Sequence, residues 1–83
     1  MNRETHRKMI LTPREWPHLV LPLKKRDGSM DMAVFAPPAG ILDYPEDAEI
    51  TILIGNMFLP LHTLPQKTYA NVDALLDDGW TVD

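Results

Sequence analysis

The side chains able to do chemistry are few and scattered: three histidines (His6, His18, His62), one serine (Ser29), no cysteine and twelve carboxylates. Nucleophilic catalysis needs a base within hydrogen-bond reach of the nucleophile. Ser29 has no neighbouring histidine and no glycine elbow, and Asp27-Gly28-Ser29 reads as a turn. A zinc site wants histidines one helical turn apart or thiolates beside them, and no two histidines share such spacing. Asp43, Glu46, Asp47 and Glu49 form an acidic stretch without the Asp-x-Asp-x-Asp-Gly order of a calcium loop. Gly28, Gly40, Gly55 and Gly79 stand apart from one another, so no glycine-rich phosphate cradle exists. The sequence therefore predicts no catalytic residue, no metal ligand and no cofactor. Binding is expected in place of catalysis.

Candidate binding residues fall into three groups. Met57, Phe58 and Leu59 make an apolar run beside Pro60, and methionine and aromatic residues suit adaptable protein interfaces. Trp16 has two readings, a core side chain or an exposed anchor for a partner. Lys24, Lys25 and Arg26 form a basic run at a hairpin tip, and a basic ribbon can enter a nucleic-acid groove. Charged hairpin tips also serve simply to guard sheet edges.

The elements that must position these residues follow from pattern. Residues 1–8 are polar and read as a flexible lead-in to a single domain over 9–83. Thr12-Pro13-Arg14-Glu15 has the form of a capping box with proline at the first helical position, and Pro17 limits that helix to one turn. Residues 18–25 and 30–36 alternate as two strands around Asp27-Gly28, with Leu19, Leu21 and Leu23 on one face and Met30, Met32 and Val34 aligned on the second strand. Pro22 predicts an edge or an irregular strand. Residues 49–54 are β-branched and apolar on both faces, which predicts an interior strand. Pro60 and Pro65 argue for a loop hugging the surface. Asn71 is placed to cap a helix over 72–78 closed by Gly79, with Val72, Leu75 and Leu76 as its apolar stripe, and 80–82 reads as a short terminal strand. The expected fold is α+β: a three- or four-stranded, mainly antiparallel sheet, one short C-terminal helix and a single N-terminal helical turn.

Composition bounds the rest. Eighty-three residues make one small domain, and the absence of cysteine excludes disulfides and thiolate metal sites. So small a core seldom supplies more than about 3–5 kcal/mol, and self-association into a homodimer is one route to more. No apolar run reaches the ~18 residues of a membrane span, which predicts a cytoplasmic protein. The net charge of −4 is segregated: residues 1–42 carry seven Lys/Arg against four Asp/Glu, residues 43–83 one against eight. Such asymmetry can steer partners, and it leaves open an acidic half that mimics DNA.

Thr68-Tyr69-Ala70-Asn71-Val72-Asp73-Ala74-Leu75-Leu76-Asp77-Asp78-Gly79-Trp80-Thr81-Val82-Asp83 resembles the ending of small accessory proteins of actinobacterial phages. Ile10-Leu11-Thr12-Pro13-Arg14-Glu15-Trp16 and Leu21-Pro22-Leu23-Lys24 resemble their beginnings. The resemblance implies an accessory product acting in the bacterial host cytosol by binding and modulating a host protein. It carries no catalytic residue with it. Nucleic-acid binding through the basic hairpin is the alternative.

Overall fold

In the computed structural model, residues 2–17, 19–25, 31–38, 40–55 and 60–83 are described. The chain opens on a helix, α1 (Arg3–Leu11), where a polar lead-in was expected. Its start has a local cause: the Asn2 side chain accepts hydrogen bonds from the Thr5 N–H (2.9 Å) and the Thr5 hydroxyl (3.0 Å). Glu4 in the first turn and Lys8 in the last both complement the helix dipole. The apolar stripe is short, with Ile10 buried and Met9 half-buried, and His6 fills the core-facing position one turn earlier. Counting His6 as polar conceals this helix in the sequence.

The expected capping box does not form. Thr12 turns its hydroxyl back to the Lys8 carbonyl (2.7 Å), closing α1, while its backbone carbonyl accepts from Glu15 N–H in a single 3-10 turn, Pro13–Glu15. Trp16 follows in extended conformation and enters the core. It meets Phe35 edge to face at 5.5 Å, and its Nε1–H donates to the Met9 carbonyl at 2.6 Å.

The sheet has five strands: β1 (Leu21–Lys25), β2 (Met32–Phe35), β3 (Ile50–Ile54), β4 (Gln66–Tyr69) and β5 (Trp80–Val82). Their spatial order is β4-β3-β2-β1-β5 and every pairing is antiparallel. The first hairpin pairs Leu21 with Phe35 and Leu23 with Ala33, so the core-facing row of its second strand is Ala33 and Phe35, while its tip lies outside the described residues. β3 is an interior strand, as its two apolar faces require.

Two expectations about prolines need correction. Pro22 lies in an interior strand, between β2 and β5. Its carbonyl accepts from the Asp83 N–H (3.1 Å), so its backbone faces the side where β5 ends, and its missing N–H removes no bond to β2. Likewise Pro65 does not keep the following residues in a loop. It contributes only a carbonyl, to Ile54 N–H (2.8 Å), and starts β4, a polar edge strand whose first three residues are exposed. No apolar alternation marks such a strand.

The second helix, α2 (Val72–Asp77), begins as expected at Asn71, whose side chain accepts from the Ala74 N–H (2.9 Å). It ends through Asp78 and Gly79, the glycine at φ +96°, a conformation L side chains rarely adopt. Both helices cover one face of the sheet. The core there joins Ile10, Val72, Leu75 and Leu76 to Leu21, Leu23, Phe35, Ile50, Ile52, Trp80 and Val82.

Candidate functional site

An apolar groove opens where the chain enters and leaves the first hairpin. The β1–β2 register, extended past Leu21–Phe35, would set Leu19 opposite Pro37 in a position that needs the Pro37 N–H. Proline has none, so the ladder stops and the expected strand start at residue 18 moves to Leu21. Leu19 therefore leaves the core-facing row of Leu21 and Leu23 and stands 91% exposed. Between it and the facing Pro37-Pro38 segment lies a space of about 260 Å³, with Pro13, Trp16, Val20 and Ile41 among its walls. Two backbone bonds fix the far wall: Arg14 N–H to the Leu42 carbonyl (3.2 Å) and Tyr44 N–H to the Leu11 carbonyl (2.8 Å). The volume falls short of the roughly 300–1,000 Å³ of small-molecule pockets. It has room for one or two side chains.

The residues singled out by sequence have different fates. Trp16 is a core side chain, 9% exposed, whose remaining surface forms part of the groove; the exposed-anchor reading does not hold. Met57, Phe58, Leu59, Arg26 and His18 lie outside the described residues. Lys24 stands 3.7 Å from the Asp83 carboxylate. Lys25 is largely buried, donating to the Asp78 carbonyl (2.9 Å), pairing with its carboxylate (3.2 Å) and lying 5.2 Å from the Trp80 ring centre. Both cations are engaged within the chain.

Asp78 gathers three partners. Its Oδ2 accepts from the Tyr69 hydroxyl and from Lys67 (3.2 Å), and Trp80 Nε1–H donates to the Tyr69 oxygen at 3.0 Å. Hydrogen bonds from Tyr69, then Lys67 and Lys25, hold the Asp78 carboxyl down at about 2, and Asp78 and Tyr69 raise Lys67 in turn. A second network ties α1 down. Arg3 reaches Asp77 (3.0 Å) and Asp73 (3.6 Å), and Arg7 reaches Glu46 (2.8 Å) and Asp73 (3.1 Å). Glu46 first, then Asp73, raises Arg7. An open, charged hollow of about 430 Å³ adjoins Arg7 and Glu46, but these groups already satisfy each other.

The segregated charge thus has an internal use. Of the eight ion pairs among the described residues, seven join a cation of residues 1–42 to an anion of residues 43–83. These pairs join the two oppositely charged halves of the sequence. His6 is buried and accepts the Val82 N–H at Nδ1 (3.1 Å), while His62 is exposed on a 3-10 turn, Leu61–Thr63. Among the described residues no group of three or more His, Cys, Asp or Glu is placed to hold a metal ion, and no helix is long and apolar enough to cross a membrane.

Sequence reasoning missed Leu19, Pro37 and Ile41 as groove residues. The signal was present in Pro37-Pro38, which cannot extend the hairpin and so must release whatever stood opposite. Comparison of the chain with protein-family models, curated proteins and solved structures finds no match in any of the three.

Proposed function

We propose that this chain is a non-enzymatic interaction module that binds a protein through the groove between Leu19 and Pro37-Pro38. The observation carrying the reading is Leu19, an apolar side chain 91% exposed at the rim of an apolar space. Prolines restrict the backbone of the wall at Pro37-Pro38, so less conformational entropy is left to lose when a side chain enters. The resemblance of the two ends to phage accessory proteins supports a host bacterial protein as the partner and the bacterial cytosol as the setting. The internal engagement of Lys24 and Lys25 favours this reading over a nucleic-acid interface.

The test is capture from nuclease-treated bacterial lysate by the tagged chain and by a Leu19→Asp variant. The expected result is one stoichiometric protein held by the wild type, little affected by salt, and lost from the variant. Equal capture by both proteins, or capture abolished by nuclease, overturns the reading; the second outcome returns attention to phosphate contacts, which weaken steeply with salt.

A further inference from the structure

The β1–β5 register leaves one row of backbone groups facing off the sheet. Asp83 N–H donates to the Pro22 carbonyl, so residues alternate from there, and Val82 points its N–H away from β1. An open strand edge of this kind is a template for pairing with another chain. Here α1 packs against β5, and the Val82 N–H is received by Nδ1 of His6, itself only 6% exposed. Accepting that bond requires a lone pair on Nδ1 and hence the neutral ring with its proton on Nε2. A protonated imidazole carries hydrogen on both nitrogens and cannot accept.

We infer that His6 is a proton-operated latch that holds the N-terminal half of α1 over the free edge of β5, and that mild acid opens it. The half that would move is defined by what holds the rest. Met9 and Ile10 are anchored by the Trp16 hydrogen bond and by the core, whereas residues 3–7 are held by His6 and by ion pairs of exposed or partly exposed side chains. Such pairs are individually weak. Arg3 lines the same space of about 50 Å³ as His6. From α2, Asp73 and Asp77 hold Arg3. Beyond Val82, Asp83 pairs with Lys24. On the 3-10 turn Glu15 is exposed and Arg14 pairs with Asp43. Carboxylates ordinarily titrate near pH 4 and free imidazole near 6.5, so a window from pH 7.5 to 5.5 acts on histidine rings and not on carboxylates, and the His6 variant separates its ring from the exposed His62. In that window the closed state binds the neutral ring and the open state takes up the proton, so acid favours opening.

Amide hydrogen exchange followed by NMR, corrected for the intrinsic pH dependence, tests this. One proton taken up on opening predicts that protection of Val82 and of the amides of residues 6–8 falls about tenfold between pH 7.5 and 5.5. Leu23 and Ile52, in the sheet interior, should keep theirs. In His6→Gln the side-chain carbonyl can still accept from Val82 without titrating, and the fall should vanish. Should that variant fail to fold, the ring nitrogen shifts of the wild type decide: the latch requires Nδ1 unprotonated and Nε2 protonated at pH 7.5. The inference is overturned by unchanged Val82 protection, by an equal fall at Leu23 and Ile52, by the same fall in folded His6→Gln, or by the opposite tautomer.

Discussion

Asp78 sits at the C-terminal end of α2, where the helix dipole disfavours negative charge. Tyr69, Lys67 and Lys25 reverse that penalty and bring α2, β4 and β1 to one carboxylate. Because the folded carboxyl is lowered from 3.8 to about 2, its stabilising contribution is present above the unfolded value and is lost as pH falls through the folded one. The side chain is about a third exposed, so solvent screening keeps the effect modest. Urea unfolding should show Asp78→Asn less stable than wild type by about 1–2 kcal/mol at pH 7, the roughly 1.5–3 kcal/mol of a charged hydrogen bond reduced by screening. The difference should shrink as the wild type is taken from pH 4 toward 2. Leu19 gives the opposite expectation. It contributes to no packed layer, so Leu19→Asp should change stability by no more than about 0.5 kcal/mol in the same assay.

At the scale of elements, α2 depends on its cap: six residues are too few to be helical without support. Asn71→Ala should cost about 1 kcal/mol, seen as a fall of roughly 4–8 °C in the thermal midpoint. Removing residues 1–8 should destabilise the domain measurably, since it deletes His6 and the ion pairs of Arg3 and Arg7; a lead-in could be cut without effect. The elements legible in the sequence are those whose patterns are local. The hairpin strands alternate, β3 is β-branched, and α2 carries both an Asn71 cap and an i, i+3, i+4 stripe. α1 and β4 were illegible because their roles are set by distant residues. His6 is useful only because Val82 arrives beside it, and β4 is a strand only because β3 offers an edge. The groove was hidden in the same way, since Leu19 is released by Pro37, a residue eighteen positions later.

At the scale of the whole molecule the chain is compact. Its radius of gyration, 11.7 Å, and its accessible surface, 5220 Å², match the about 11.8 Å and about 5,000 Å² expected of a compact monomer of this length and mass. Ion pairs between the oppositely charged halves add long-range ties, and the groove at Leu19 is left as an apolar feature that no layer of the fold uses. The binding account rests there. The most direct measurement places a photoreactive phenylalanine derivative at position 19 and, in a control, at the exposed position 47, then irradiates each in bacterial lysate. The account predicts one covalent protein adduct from position 19 and none from position 47. No adduct at position 19, or the same adducts from both positions, contradicts it.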